Sequence, residues 1–292
     1  MKTRQAGRLL RRFAKSSFGL WQALGLHITA NHFYEPVPDT RSLPEELWKR
    51  RESVPGVELD AAQQAALTME AAEFAREFDA LRQNEYPADN PSLTPADAAM
   101  YYGLLRLRKP ARVLEVGAGF STQLALAALK RNRQESHSGQ LTTIEPYPLP
   151  FVSKLPDIVL KKIPLQRIVL ADFLALTKGD ILFIDSSHVV ATGSDVQREV
   201  LEILPQLAVG VLVHFHDIFI PNEYPREWII DRKRFWTEQY LLQAFLAFNN
   251  CFAVRWAGNY LQQVRPTVAK QLTKQHDPSK HVLGSFWLER VG

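Results

Sequence analysis

The chain has 292 residues, of which 46% are hydrophobic and 23% charged, a balance typical of a globular protein that can bury a full core. Its single cysteine, Cys251, excludes an internal disulfide and a zinc site built from several cysteines, so a reducing cytoplasm is the expected compartment. The net charge of +4 is concentrated at the N-terminus instead of being spread over a face, which disfavours nucleic-acid binding. No segment of the sequence approaches the length and apolarity of a membrane-spanning helix.

The N-terminus combines positive charge with an apolar pattern at helical spacing. Such a pattern is typical of a helix that contacts an anionic membrane surface or a partner helix, and the alternative is a terminal helix docked on its own domain. Gln22 and His27 interrupt the apolar stretch from Phe18 to Ile28, so the segment makes a poor secretory signal. The basic residues are Lys2, Arg4, Arg8, Arg11, Arg12 and Lys15, and the apolar ones are Leu9, Leu10, Phe13, Phe18 and Leu20.

The next segment indicates structure outside an α/β core. Residues from Asn31 to Pro55 are rich in proline and include the aromatic run His32-Phe33-Tyr34, as in an ordered connector. Apolar residues at helical intervals predict a helix over Glu58 to Leu81. We therefore expect residues 1–90 to form N-terminal helices and a Pro-rich connector, and residues 91–292 to form one domain.

From Thr94 onwards, short apolar runs alternate with helical patterns. Thr94-Pro95-Ala96-Asp97 supplies a capping hydroxyl, a proline at the first helical position and an acid in the first turn, so a helix should start there. The alternation predicts an α/β fold with a doubly wound, mostly parallel sheet of seven strands, the last two of which could pair antiparallel. Strands are expected over Arg112–Val116, Leu141–Ile144, Arg167–Leu170, Ile181–Ile184, Val209–Phe215, Phe252–Trp256 and Ser285–Arg290, and further helices over Thr122–Lys130, Val196–Leu204 and Phe235–Phe248.

The turn after the first predicted strand is the most informative segment. Gly117 and Gly119 let the backbone approach a ligand, and the helix that follows offers unsatisfied N–H groups at its N-terminus. Thr122 stands where a dinucleotide fingerprint needs a third Gly or Ala, and Glu115 would repel a diphosphate. S-adenosylmethionine (SAM) is a cationic nucleoside without phosphate, and it suits this acid. A tight turn without a ligand is the alternative interpretation.

The acid-x-Gly-x-Gly pattern from Glu115 to Gly119 resembles the first motif of the class I SAM-dependent methyltransferases, which have a Rossmann-like fold. In this setting Glu145, at the end of the second predicted strand, can accept hydrogen bonds from both ribose hydroxyls. The resemblance implies that Asp172 accepts from the adenine amino group and that Phe173 lies near the ring. The predicted cofactor-binding residues are therefore Glu115, Gly117, Gly119, Glu145, Asp172 and Phe173.

Two neighbouring strand ends carry acids and histidines. One run ends in Asp185-Ser-Ser-His188 and the next in His214-Phe-His216-Asp217. This pattern resembles the catechol-methyltransferase-like group, and more narrowly a family of small-molecule and sugar O-methyltransferases that includes macrolide-sugar enzymes. The resemblance implies that Asp185 and Asp217 hold Mg²⁺ or another divalent cation, and that His188 is the general base, with Asp185 as its catalytic neighbour.

Two residues depart from that family pattern. His216 stands where the macrolide-sugar enzymes have an acidic ligand, and Ile218 where the catechol-type enzymes have an amide. With His216 as a third ligand, the softer set favours Mn²⁺, Fe²⁺ or Zn²⁺; alternatively, the metal is absent and the histidines orient the substrate. For His214 we expect a structural role.

Together these features predict a SAM-dependent methyltransferase that acts on a hydroxyl of a small molecule or glycan, with a sugar hydroxyl as the leading candidate. The loop from Pro221 to Trp228 and the aromatic connector are expected near the mouth of the substrate pocket. Two alternatives stay open: a nicotinamide-dependent oxidoreductase on a similar sheet, and a non-catalytic membrane-surface scaffold that retains the fold.

Overall fold

The computed structural model divides the chain into two compact units, residues 1–49 with 225–235, and residues 50–224 with 236–292. The boundary expected between residues 90 and 91 lies inside the second unit. There the helix of residues 61–72 packs on the helix of residues 95–108. The residues that the structure describes are 10, 12–32, 34–81, 83, 85–87 and 90–292.

The second unit is built on one seven-stranded sheet, which confirms the predicted fold class. The sheet order is β3-β2-β1-β4-β5-β7-β6, parallel from β3 to β5, with β7 antiparallel to both β5 and β6. The strands are β1 (Arg112–Val116), β2 (Gln140–Ile144), β3 (Ile158–Lys161), β4 (Ile181–Ile184), β5 (Leu212–Phe215), β6 (Phe252–Ala257) and β7 (Phe286–Arg290).

Helices cover both faces of this sheet. Alternate residues of β1 enter opposite layers, with Val113 in one hydrophobic core and Leu114 and Val116 in the other, as the two-residue period of a strand requires. The α-helices are α1 (Phe18–Ala23), α2 (Ala61–Ala72), α3 (Ala75–Asp79), α4 (Pro95–Arg108), α5 (Phe120–Gln134), α6 (Leu170–Leu174), α7 (Asp195–Arg198), α8 (Arg226–Ile230), α9 (Glu238–Leu246) and α10 (Gly258–Val264). Glu45–Trp48, Val152–Lys154, Leu165–Arg167, Leu204–Gln206 and Ala269–Gln271 are 3₁₀ turns, and Glu199–Ile203 is π-helical.

The first turn of α4 is hydrogen-bonded to the segment that enters β7. As predicted, Thr94 caps the helix, and its Oγ1 accepts from the N–H of Asp97 at 3.3 Å. The buried carboxylate of Asp97 in turn accepts the N–H groups of Gly284 and Ser285, each at 3.1 Å. The cap therefore also fixes the segment that enters β7, next to the carboxyl end of β5.

The predicted third strand over Arg167–Leu170 is wrong. That stretch instead connects a 3₁₀ turn to α6, and the third strand is Ile158–Lys161, earlier in the chain. The reason is the position of β3 at the edge of the sheet, where none of its residues is fully buried and no continuous apolar run is needed. The single helix expected over Glu58–Leu81 is also interrupted, because residues 73 and 74 separate α2 from α3.

Candidate active site

The turn between β1 and α5 contains two glycines with different surroundings. Gly117 is required by its backbone conformation and close packing, whereas Gly119 borders open space. Gly117 has φ of +81°, and a Cβ there would lie 2.0 Å from the carbonyl oxygen of Asp185, so no other residue fits. A Cβ on Gly119 would meet nothing within 4 Å. The turn therefore packs tightly against β4 on one side and faces open space at the start of α5.

Glu115 supports this turn from inside the protein. Its side chain is fully buried, and its two oxygens accept from Ser121 Oγ at 2.5 Å and Thr122 Oγ1 at 2.6 Å. Thr122 Oγ1 also accepts the N–H of Gly119 at 3.0 Å. Burial raises the pKa of Glu115 to about 8, although both hydroxyls lower it. The structure thus shows Glu115 holding the turn, and its contact with the methyl donor stays a prediction.

Glu145 lies where the sequence places it, beyond the carboxyl end of β2. Its Oε1 accepts the N–H of Tyr147 at 2.7 Å, and its Oε2 lies 3.4 Å from the N–H of Ala118 in the glycine turn. The side chain is only partly buried. A carboxylate therefore stands beside the turn with room to accept further hydrogen bonds.

Asp172 and Phe173 do not reach this edge as predicted. Both lie within α6, not after a strand, because the third strand ends at Lys161. Asp172 pairs with the ammonium of Lys161 at 2.6 Å, and Phe173 is fully buried in a hydrophobic core. A phenyl ring without exposed surface cannot lie against adenine, so the role expected for Phe173 is wrong, and Asp172 serves an ion pair here.

The ends of β4 and β5 meet, as the sequence predicts. The N–H of Asp185 donates to Val116 at 2.9 Å, and the N–H of His216 donates to Ile184 at 2.9 Å, so the parallel ladder continues into the site residues. Asp217 follows with φ of +55°, in the left-handed region that only a few residue types enter readily. Both strand-end aspartates therefore come to one edge of the sheet.

His188 lies between these aspartates and a third carboxylate. Its Nε2 is 3.2 Å from Asp185 Oδ1 and 4.0 Å from Asp217 Oδ2, and its Nδ1 is 2.8 Å from Glu238 Oε2. The ring also packs on Trp236, with centroids 4.2 Å apart. Burial lowers the pKa of this imidazole, but the hydrogen bonds to Asp185 and Glu238 raise it well above its ordinary value. The two carboxylates therefore favour the imidazolium form of His188, in which both ring nitrogens donate hydrogen bonds.

The two strand-end aspartates have opposite pKa shifts. Burial opposes ionisation of Asp185, but the positive charges of His216 and His188 prevail and lower its pKa to about 2. For Asp217, burial raises the pKa above its ordinary value, although the same two histidines lower it. Asp185 is consequently the firmly ionised partner of His188.

The predicted metal-binding set of Asp185, His216 and Asp217 is not assembled as a ligand cluster. His216 Nε2 lies 2.9 Å from the carbonyl oxygen of Ser92, which can only accept, so this nitrogen carries a hydrogen and cannot bind a metal. Within the described ranges, no group of three or more His, Cys, Asp or Glu side chains could hold a metal ion. We therefore assign no chemical step to a metal, and the cation stays a prediction.

Sequence reasoning missed Glu238 and Glu199, the two buried acids behind His188. Glu238 is 1% exposed in the first turn of α9, and Glu199 accepts from Ser186 Oγ at 3.1 Å. Burial raises the pKa of both carboxyls. The only local signal was an acid in the first turn of a mostly apolar predicted helix, and nothing nearby in the sequence connects that acid with a histidine 50 positions earlier.

His214 has the structural role that was expected. It is fully buried, stacks on Phe183 with centroids 4.0 Å apart, and directs Nε2 to Ser285 Oγ at 3.0 Å. Burial lowers its pKa well below the ordinary value, so the ring is neutral.

The loop from Pro221 to Trp228 is divided between the two compact units, and its expected lid role stays a prediction.

A known protein family matches the part of the chain that forms this edge of the sheet. Residues 114–218 match the sequence model of a family described as "Methyltransferase domain". The match starts within β1 and ends just beyond β5, so it includes the glycine turn and both strand ends. This match agrees with the methyltransferase class predicted from the sequence for this part of the chain. The match gives no support to the oxidoreductase alternative.

Individual relatives are more distant. An uncharacterized protein of Archaeoglobus fulgidus is 25% identical in an alignment over 134 residues that covers 42% of this chain and 60% of that protein. The chain thus spans less than two thirds of the length of this curated relative. The O-methyltransferase TomG of Streptomyces achromogenes, solved in complex with SAM, is 15% identical, with coverage of 81% of this chain and 92% of that one and a TM-score of 0.40. CmcI, solved with Mg-SAM, is 17% identical, with coverage of 68% and 72% and a TM-score of 0.39.

Proposed function

We propose that this methyltransferase transfers a methyl group from SAM to a hydroxyl oxygen of a small molecule or glycan, and that His188 takes the hydroxyl proton. The observation that carries the proposal is the buried His188–Glu238 pair, whose Nδ1–Oε2 distance is 2.8 Å, at the sheet edge that also holds the glycine turn. A histidine held at one nitrogen by a carboxylate presents its other nitrogen in a defined direction, which is the arrangement of a positioned general base.

The residues at the glycine turn fit the methyl donor. Open space beside Gly119 adjoins the first N–H groups of α5, and Glu145 stands next to it with a partly exposed carboxylate. We expect Glu145 to accept hydrogen bonds from the ribose hydroxyls. Bound SAM supplies an electrophilic methyl group on a sulfonium. The chain holds the donor and leaves the carboxyl ends of β4 and β5 for the acceptor.

The base needs an open position on Nε2 of His188. In the free protein, Asp185 occupies that position at 3.2 Å, and the imidazolium has no lone pair to offer. We infer that His188 first releases its Nε2 proton to solvent water, and that the acceptor hydroxyl then replaces Asp185 as the partner of Nε2. Nε2 takes the hydroxyl proton as the oxygen bonds to the methyl group, while Glu238 keeps the Nδ1 hydrogen and hence the ring orientation. A raised pKa makes His188 a stronger base, but it also requires a higher pH for the neutral form.

Two measurements test this function. Calorimetry should show that SAM and S-adenosylhomocysteine bind and that NAD does not; equal affinities for SAM and NAD would contradict the donor assignment. A screen of phenols, catechols and sugar alcohols, read out as S-adenosylhomocysteine released, should find turnover with hydroxyl acceptors. Turnover confined to amine or thiol acceptors would contradict the acceptor class, and Glu145→Ala serves as the variant impaired in donor binding.

A further inference from the structure

The N-terminal segment exposes an unusual set of large apolar side chains. Seven of them between residues 10 and 28 are 42% to 68% exposed. No residue of α1 is buried. A folded domain normally covers such a cluster, and a contiguous exposed one marks an interaction surface. The seven residues are Leu10, Phe13, Phe18, Leu20, Leu24, Leu26 and Ile28.

Hydrogen bonds give this segment a defined end. Gly25 has φ of +74° and donates its N–H to Gln22, and the N–H of Leu26 donates to Trp21 at 2.8 Å, which together form a Schellman motif. The ring of His27 then stacks on Phe18, with centroids 5.5 Å apart. The exposed side chains before and after the turn therefore belong to one short folded unit.

The charge of the same segment has a single sign. Residues 1–34 contain six Lys or Arg and no Asp or Glu. Because the whole chain has a net charge of +4, residues 35–292 contain more Asp and Glu than Lys and Arg. Arg12 and Lys15 are exposed in the structure. Lys2, Arg4, Arg8 and Arg11 lie outside the described residues, as do Leu9 and Phe33.

We propose that the N-terminal segment, residues 1–28, docks the enzyme on an anionic lipid bilayer. The apolar side chains enter the interface between headgroups and acyl chains, and the Lys and Arg residues bind the anionic headgroups. RNA would use the charge without the aliphatic side chains, and an uncharged partner helix would use the aliphatic side chains without the charge. An anionic lipid surface uses both. Among the residues that the structure describes, no helix combines the length and apolarity needed to cross a membrane.

Vesicle sedimentation of the full chain tests this inference without any methyl-transfer step, so its result is independent of the proposed function. The vesicles are pure phosphatidylcholine, or phosphatidylcholine with about a quarter phosphatidylglycerol. We expect at least about tenfold stronger partition onto the anionic vesicles, and a loss of that preference in about 0.5 M NaCl, where charges are screened.

Two double variants separate the apolar and the charged contribution. Leu20→Asp with Leu24→Asp, and Arg12→Glu with Lys15→Glu, should each weaken partition onto anionic vesicles by about tenfold or more. The matched control is Val209→Asp with Val282→Asp, which places two charges at exposed aliphatic positions of the second unit and should leave partition unchanged. Melting temperatures verify that all three variants fold.

Four results would overturn the inference. They are no partition of the wild-type chain onto either vesicle, equal partition onto both, equal losses in the control variant, and displacement from vesicles by poly(U) RNA at equal charge. Gel filtration provides a further test, because a wild-type dimer that dissociates in the Leu20/Leu24 variant would identify a second copy of the chain as the partner.

Discussion

Replacing Asp185 by asparagine should move the pH dependence of the enzyme towards acid. In the free protein, the Asp185 carboxylate lies 3.2 Å from His188 Nε2 and stabilises the imidazolium. Removing its charge lowers the pKa of His188, so the neutral ring that accepts a proton becomes available at lower pH. The acid limb of kcat/KM, along which activity rises with pH, should shift with it.

The geometry sets the size of this effect. Two unit charges at 3.2 Å interact by about 5 kcal/mol at an effective dielectric constant of about 20. That value is an upper limit, because the Asp185 side chain is 34% exposed and the amide of the variant still hydrogen-bonds to the ring. Opposite charges at such distances typically change a pKa by about 1 to 3, so we expect the limb to move by about 1 to 3 pH units.

Two assays measure the shift. NMR titration of the His188 ring reports its pKa without an acceptor, and kcat/KM over about pH 5 to 10 reports the limb once an acceptor is known. The position of the limb is the readout and not its height, because Asp185 is itself a predicted catalytic residue. Asp195→Asn is the matched control, since Asp195 accepts from Ser187 and makes no hydrogen bond to His188. An unchanged limb in Asp185→Asn would show that another group is the base.

Four further predictions follow from single contacts. His188→Ala should lower kcat by about 10² to 10⁴ with SAM affinity retained in calorimetry, and His188→Gln should not restore it; turnover near wild type with a lowered melting temperature would instead show a structural role. Glu145→Ala should weaken SAM binding by about 1.5 to 3 kcal/mol in calorimetry, and unchanged affinity would exclude a ribose contact. In denaturant unfolding, Gly117→Ala should destabilise the protein by at least about 1 to 3 kcal/mol because its Cβ meets a carbonyl oxygen, whereas Gly119→Ala should cost little; equal costs would contradict the described turn. The free energy of unfolding should fall as the pH rises from 4.5 to about 8, because the folded state keeps the proton on buried Glu115 that the unfolded chain releases. Glu115→Gln should flatten this part of the stability profile. A variant profile parallel to wild type would show that Glu115 does not cause the pH dependence.

Local chemistry made much of the fold predictable. Thr94 and Pro95 define a helix start by their own side chains, and a Gly-x-Gly turn after an apolar strand predicts its own backbone course. Once the strands are parallel, their carboxyl ends lie at one edge, which is why Asp185 and Asp217 could be placed together from the sequence. These features depend on neighbours within a few residues or on a general rule of sheet topology.

The third strand shows where local patterns fail. The run Arg167–Leu170 is more apolar than its surroundings, but it connects a 3₁₀ turn to the helix that buries Phe173. The true strand, Ile158–Lys161, is a half-buried edge strand with a weak apolar pattern. Whether an apolar run fills a sheet or a helix depends on the layer against which it packs. Because the strand was placed wrongly, Asp172 and Phe173 were predicted to follow a strand end and contact the adenine, whereas both lie in a helix.

Only the tertiary structure decided the charge of the central histidine. From the sequence alone, His188 is a loop residue with an ordinary pKa, three positions after an aspartate. Folding buries it and brings Glu238, from a helix 50 positions later, to within 2.8 Å of its Nδ1, and the two carboxylates at its ring nitrogens raise its pKa. A pKa is set by burial and by charges a few ångströms away, and neither quantity is written in the spacing of residues along the chain.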